Sequence, residues 1–296
     1  MDQITVKGHA KINLTLRILS LRGDGYHEVR SIMQKIDLCD DVVLTDRLDG
    51  LITVTCDNPD IPQNPKNGSY NIAARAAELL KQRFAPDRGA DIFIRKRIPV
   101  AAGLGGGSSD AAACITGLAR LWGLDITTEE MLQVGAEIGS DVPFALSPQT
   151  AFVHGRGEKV RVITPAPPFW MTLVKPAPSL LAAEAYAEFD NGGGSDGGDE
   201  RLVLDGIISQ DVERMAFGMG NALQGPVERL VPEVGSIIDR LKRFSPLCAI
   251  VSGSGPTVVA ITRDREHAAE MLSGFEGERG IEHTMVVRSL HGGASI

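Results

Sequence analysis

Four glycines in five positions, Gly103-Leu104-Gly105-Gly106-Gly107, constrain this chain more than any other stretch of its 296 residues. Glycine bears no Cβ, so such a run can turn sharply and bring its backbone close to another group. Its successive N–H groups can point to one side and form a concave nest for an anion. Ser108 reads as the N-cap of a helix that an alanine-rich sequence carries to about Trp122, where Gly123 stops it. The start of that helix adds unpaired N–H groups and the positive end of a dipole. The segment Pro99-Val100-Ala101-Ala102-Gly103-Leu104-Gly105-Gly106-Gly107-Ser108-Ser109 is therefore expected to hold a polyphosphate. The plainer alternative is a glycine-rich turn into a helix with no ligand.

Two other phosphate loops do not fit. A G-x-x-x-x-G-K-[ST] loop needs a lysine after the glycines, and none follows. A G-x-G-x-x-G fingerprint starting at Gly103 needs glycine where Ser108 stands, and the run lies too deep in the chain for a first βαβ unit. Residues 191–200 are also rich in glycine, but Asp196, Asp199 and Glu200 would repel phosphate, and no apolar helix is expected directly after them. That stretch reads as a flexible surface loop. The formal net charge is −8 and the sequence pI about 5.3. Such a chain is poorly suited to nucleic acid, and any anion must be held locally by a few cations and oriented amides.

Residues 12–18 and 52–55 alternate apolar with polar as strands do, and 42–44 is a short apolar run. Asn71 reads as the N-cap of a helix to about Arg83, and 90–95 as a strand leading to Ile98-Pro99. A helix is expected over 128–138, ended by Gly139, with strands over 150–154 and 159–163. Beyond the cluster Pro165-Ala166-Pro167-Pro168, strands are expected over 169–174, 249–251, 258–261 and 283–287. Helices are expected there over 182–189, 211–217, 227–244 and 266–272. Strands and helices mix without regular βα alternation, which favours an α+β fold. The prolines mark a boundary between domains at 1–164 and 165–296.

Cys39, Cys56, Cys114 and Cys248 never form a C-x-x-C pair and read as isolated buried thiols rather than zinc ligands or disulfides. Met1-Asp2-Gln3-Ile4-Thr5-Val6-Lys7 has no apolar signal core, and no run approaches the length of a membrane span. A reducing cytoplasm is the expected setting.

Five ordered segments resemble the GHMP kinases. Ala10-Lys11-Ile12-Asn13-Leu14 is similar to the family's first motif, and Gly105-Gly106-Gly107-Ser108-Ser109-Asp110 to a three-glycine version of its phosphate loop. Gly139-Ser140-Asp141-Val142-Pro143-Phe144 resembles its catalytic aspartate segment, and Ser252-Gly253-Ser254-Gly255-Pro256-Thr257 its C-terminal glycine motif. Arg22-Gly23-Asp24-Gly25-Tyr26-His27-Glu28 resembles a segment distinctive of the branch whose acceptor carries cytidine diphosphate. The resemblance spans nearly the whole chain. It implies the GHMP kinase fold, an N-terminal domain like ribosomal protein S5 plus a C-terminal α/β sandwich of ferredoxin-like type. Three departures stand out: Leu181-Ala182 in place of a Ser-Thr pair, an apparent insertion over 192–198, and Gly220-Asn221-Ala222 in place of Arg-Asn-Asp.

What the resemblance implies chemically is transfer of the γ-phosphoryl group of ATP, with Mg2+, to the 2-hydroxyl of a methylerythritol linked to cytidine diphosphate. That step belongs to the non-mevalonate route to isoprenoid precursors. Asp141 would take the proton of the attacking hydroxyl, and Lys11 would keep Asp141 ionised and offset charge on the phosphoryl group. The backbone of residues 103–109 would hold the phosphates, with Ser108 or Ser109 reaching Mg2+, and Asn71 and Lys96 would lie near the adenosine. Tyr26 and Tyr186 would sandwich the cytosine, His27 would read its edge, and Asn13 would bind the polyol. Each has a plainer reading: Asp141 a turn residue, Lys11 an outward strand residue, Lys96 a surface charge, Asn71 a helix cap, the tyrosines packing. The expected partner is a small molecule, with no nucleic acid or membrane, on a monomer or weak homodimer. Alternatives are a kinase of the same family acting on homoserine, mevalonate or a sugar, and a nucleotide-binding homologue without catalysis.

Overall fold

The polar positions of the first strand are as buried as the apolar ones, and this sets the architecture. Strand β1 (Gln3–Leu21) is buried on both faces from Ala10 to Leu16, so Lys11, Asn13 and Thr15 lie inside the protein with Ile12 and Leu14. Alternation over 12–18 therefore marks the middle of a strand far longer than the pattern suggested. Strand β2 (His27–Arg47) likewise extends well beyond the apolar run at 42–44. In the computed structural model, residues 2–59, 61, 71–85, 87–275 and 277–291 are described. Met1, at the head of the stretch read above, lies outside them.

The chain forms two compact units, each drawn from separate stretches: 1–10, 38–98 and 105–147 in one, 11–37, 99–104 and 148–296 in the other. In the first, β4 (Gly89–Arg95) pairs antiparallel with the end of β2 and parallel with β3 (Ile52–Cys56), with Val42 opposite Ile94 and Val54 opposite Ile92. Their inward side chains form one core with α1 (Ile72–Phe84), α2 (Gly106–Leu121) and α3 (Thr128–Ile138). Small residues let these helices sit close to the sheet: a Cβ on Gly117 would lie 2.2 Å from Leu44 Cδ1. Asn71 caps α1 as expected, its Oδ1 accepting from Ala73 N, and Thr127 and Glu130 form a capping box at α3. A short helix, α4 (Val142–Leu146), follows Asp141 and was not apparent from periodicity.

In the second unit, β5 (Thr150–Gly155) pairs with the start of β2 and with β6 (Lys159–Val162). A four-stranded antiparallel sheet runs in the order β11 (Ile281–Arg288), β7 (Trp170–Pro176), β10 (Val258–Thr262), β9 (Cys248–Val251). Its inner face shares a core with α8 (Gln224–Leu230), α9 (Glu233–Lys242) and α10 (Arg265–Ser273). This is the α/β sandwich of the expected α+β fold. The single helix read over 227–244 is two, because Pro232 has no N–H to continue the first. The described cysteines are free thiols, with Cys39, Cys56 and Cys114 buried and Cys248 partly so.

Residues 191–199 lie at the surface as read, exposed from Asn191 to Asp196, but they are anchored rather than loose, and a helix follows directly. Helix α5 (Ala182–Gly192) takes up the start of the stretch, and α6 (Glu200–Ser209) begins at once, capped by Asp199 accepting from Arg201 N and Leu202 N. Between them the glycines dock. Gly197 O accepts from Leu16 N at 3.1 Å, and Ser195 Oγ donates to Asn221 O at 3.0 Å. A Cβ on Gly194 would lie 2.0 Å from Ala222 O, and one on Gly197 2.0 Å from Leu16 O. These glycines serve backbone packing rather than freedom of movement. Gly197→Ala, with φ +80 and no room, is expected to cost about 2–4 kcal/mol in denaturant unfolding. Gly23→Ala, with an ordinary φ and open space around it, should cost no more than about 0.5 kcal/mol. Equal small losses would contradict the docked arrangement.

Candidate active site

The glycine-rich segment turns by left-handed backbone at every second residue, Ala101 (φ 48), Gly103 (φ 73) and Gly105 (φ 71). That alternation is the backbone pattern of an anion nest. Helix α2 starts at Gly106 with Gly105 as its N-cap, not at Ser108, and no side chain caps it. Glycine takes the left-handed cap most readily, so the helix begins three residues earlier than a cap at Ser108 would allow. The two serines then differ. Ser109 is buried and its Oγ donates to His9 O at 2.6 Å, whereas Ser108 stays half-buried.

Within the first unit, Lys96, Asn71 and the start of α2 come together. A Cβ on Gly106 would lie 3.3 Å from Lys96 Nζ, and one on Gly107 3.4 Å from Ile72 in the first turn that Asn71 caps. Lys96 is no surface charge: its buried ammonium bridges Asp40 (2.5 Å) and Asp110 (2.8 Å). Asp40 also accepts from Arg97 N and Ile98 N, fixing the backbone just ahead of Pro99. Burial works against the charge on Lys96, but the two carboxylates outweigh it and raise its pKa. Burial and the nearby Asp40 carboxylate push Asp110 up to about 7 against the pull of Lys96. Asp110 Oδ1 has no hydrogen-bond partner among the described residues. Asp141 is half-buried at the N-cap of α4, where its main-chain O accepts from Ala145 N.

The second unit gathers Lys11, Asn13 and residues 103–104. Lys11 Nζ donates to Asn13 Oδ1 (2.9 Å), Asn13 Nδ2 to Ser31 Oγ (2.7 Å), and Ser31 Oγ to Thr15 O (2.6 Å). Lys11 N donates to Leu104 O at 3.0 Å. A Cβ on Gly103 would lie 2.1 Å from Ser252 O, so the C-terminal glycine motif and residue 103 touch backbone to backbone. Gly253 stands against the same group, where a Cβ would lie 2.8 Å from Gly103 O and 3.0 Å from Lys11 Nζ. Asn221, whose altered surroundings suggested little, organises this corner. Buried, it donates through Nδ2 to Val251 O (2.8 Å) and Gly253 O (2.7 Å) and accepts from Leu223 N (2.9 Å).

The Arg22–Glu28 segment is a hairpin corner. Arg22 N donates to Tyr26 O, Gly25 is left-handed (φ 82), and Arg22 pairs with Asp24 and Glu28, whose carboxyls these bonds hold below their ordinary range. Tyr26 is half-exposed, with the Arg156 guanidinium 5.2 Å from its ring centre. His27 stacks on Tyr186, with centroids 5.0 Å apart and planes at 23°. Leu181 stands exposed at the start of α5 and offers no hydroxyl, consistent with its sequence. Among the described residues, no cluster of three or more His, Cys, Asp or Glu is arranged for a metal.

Comparison with known proteins now decides the family. The model described as "GHMP kinases N terminal domain" matches residues 71–156, and "GHMP kinases C terminal" matches 204–281. The chain is also 42% identical over 275 residues, 93% of each chain, to a 4-diphosphocytidyl-2-C-methyl-D-erythritol kinase of Bacillus velezensis. The chain belongs to the GHMP kinases. A crystal structure of 4-(cytidine 5'-diphospho)-2C-methyl-D-erythritol kinase is similar to this GHMP kinase with a TM-score of 0.80 and 26% identity, covering 98% of this chain and 100% of that one. A mevalonate kinase crystal structure shares the fold alone, with a TM-score of 0.70 and 16% identity over 97% of this chain and 99% of that one. Among the described residues of this GHMP kinase, no helix is long and apolar enough to cross a membrane.

The buried triad gives a stability signature. An aspartate whose folded pKa of about 7 lies above its unfolded value near 4 holds its proton more tightly when folded. Its contribution is therefore most favourable at low pH and declines as pH rises through about 7. In nucleotide-free protein, Asp110→Asn should raise Tm relative to wild type at mildly alkaline pH by several degrees, at about 2–4 °C per kcal/mol. The difference should shrink near pH 5, and a gain independent of pH would contradict it.

Proposed function

We propose that this GHMP kinase transfers the γ-phosphoryl group of ATP to the 2-hydroxyl of 4-diphosphocytidyl-2-C-methyl-D-erythritol, a step in making isoprenoid precursors. The observation that carries this reading is the 42% identity, over 93% of both chains, to a kinase of that name. The fit of an ATP phosphate group rests on the uncapped start of α2 at Gly105 and the lack of room for a Cβ at Gly103 and Gly106. ATP supplies the group that is transferred.

The chain's own residues then take the following parts. N–H groups between Gly103 and Ser109 hold the phosphates, which suits an acidic protein that must bind an anion locally. Ser108, with its hydroxyl less committed than that of Ser109, would hold Mg2+, which would offset charge on the phosphates. Asn71 and the backbone at Lys96 border the adenosine. Asp141 receives the proton of the acceptor hydroxyl; a weak base suffices because in a loose transition state that proton leaves late. Lys11, fixed by Asn13, offsets negative charge on the phosphoryl group, and Asn13 borders the polyol. Tyr26, His27 and Tyr186 receive the cytosine, which the exposed Tyr26 ring and the His27–Tyr186 stack support.

The same reading includes a boundary between N- and C-terminal domains at 164/165, supported by family matches on either side of it. It also includes a cytoplasmic enzyme, monomeric or weakly dimeric, that works on small molecules. The test is ADP release from Mg-ATP with the cytidyl methylerythritol acceptor, homoserine and mevalonate in turn. Turnover is expected only with the first, and Asp141→Asn should lower kcat by about 10²–10⁴ with little change in nucleotide affinity. Turnover with homoserine or mevalonate would replace the acceptor. Nucleotide binding with no acceptor-dependent release would overturn the reading.

A further inference from the structure

Helix α5 carries an acidic residue where its own dipole disfavours one. Asp190 lies in the last turn of Ala182–Gly192, a turn with no basic residue, and carboxylates are destabilised at that end. Nearby, Arg229 clamps the helix end, donating to Glu188 Oε1 (2.5 Å) and Gly193 O (2.9 Å). Its partners are Glu188 and the backbone, so Asp190 answers to a different group: Asp190 Oδ1 lies 2.7 Å from His27 Nε2. Tyr186, Phe189 and Asp190 occupy positions i, i+3 and i+4 of the helix and so share one face. All three meet the His27 ring, by stacking at 5.0 Å, an edge contact at 6.3 Å and the hydrogen bond. The imidazole is nearly buried, whereas Asp190 is half-exposed, at 8% and 47% side-chain exposure.

An ionised carboxylate accepts hydrogen bonds and donates none. The contact therefore requires the proton on Nε2, and in a neutral ring it leaves Nδ1 as a bare lone pair. A bare ring nitrogen accepts from an exocyclic amine and faces an exocyclic oxygen unfavourably. Cytosine carries an amine at C4; uracil carries an oxygen there.

We propose that Asp190 is a specificity-determining positioning residue, which locks His27 as an acceptor at Nδ1 and so selects an acceptor bearing cytosine over one bearing uracil. This rests on the proposed acceptor and adds what that reading lacks, a physical basis for choosing between pyrimidines. Asp190 touches neither the reacting hydroxyl nor the nucleotide phosphates in this account. Its loss should change base choice and leave phosphoryl transfer largely intact.

Two measurements on the full chain test it. Long-range 1H–15N spectra in mildly alkaline buffer, without acceptor, should show His27 protonated at Nε2 in wild type and a mixture of tautomers in Asp190→Asn. The carboxamide of that variant can donate or accept. Kinetics with the cytidine-linked acceptor and its uridine counterpart should then give a wild-type preference in kcat/KM that falls roughly tenfold or more in Asp190→Asn. The loss should lie mainly in KM for the cytidine acceptor, with KM for ATP unchanged. A wild-type His27 protonated at Nδ1 would overturn the tautomer assignment. An unchanged cytidine-to-uridine ratio in folded Asp190→Asn would overturn the selection. If wild type turns over neither acceptor, the proposed function falls and the base selection with it, while the spectra still report the tautomer.

Discussion

The backbone contact between Gly103 and the Ser252–Gly255 turn is the constraint on which the candidate site depends. A side chain at 103 would strike Ser252 O at 2.1 Å, and one at 253 would strike Gly103 O at 2.8 Å, so neither position has room for a Cβ. That mutual approach sets Leu104 O where Lys11 N donates to it, and sets Gly253 beside the Lys11 ammonium and the Asn13 carboxamide. Asn221 then ties the turn down with hydrogen bonds to Val251 O and Gly253 O. In the proposed reading, backbone geometry rather than a cluster of cations would give this acidic chain a place for an anion.

Charge is handled by enclosure. Lys11 spends one hydrogen bond on Asn13, which passes along a buried chain to Ser31 and Thr15. Each buried polar group in that chain has a partner, which is what makes a lysine inside a strand affordable. Lys96 is held between Asp40 and Asp110 beside the first residue of α2. A lysine fixed in this way keeps its charge close to the helix start, and two carboxylates keep that charge from acting at long range.

Much of this was legible in the sequence, and for identifiable reasons. Asn71, Gly123 and Gly139 are local signals, decided by a few neighbouring atoms, and the cap and stops they announce are present. Long-range packing was not legible. Alternation over 12–18 read as an ordinary short strand, because nothing local reveals that Lys11 is met by Asn13, and Asn13 and Thr15 by Ser31 and Ile32, inside the protein. Residues 191–199 read as a loose loop because composition cannot tell glycines that give freedom from glycines that admit a neighbouring carbonyl. Ser108 read as a cap because serine usually is one; the left-handed Gly105 made an earlier start possible. Asp190 left one faint trace, an acid at the wrong end of a helix, whose meaning appears only with His27 beside it.

The central claim is that the backbone of residues 103–109 is the anion site of this kinase. Its most direct test is a crystal structure with Mg2+ and a non-hydrolysable ATP analogue. The account predicts the β- and γ-phosphates within hydrogen-bond distance of N–H groups between Gly103 and Ser109, with Ser108 on the side of the metal. Phosphates bound elsewhere, with those N–H groups facing only protein or solvent, would contradict it.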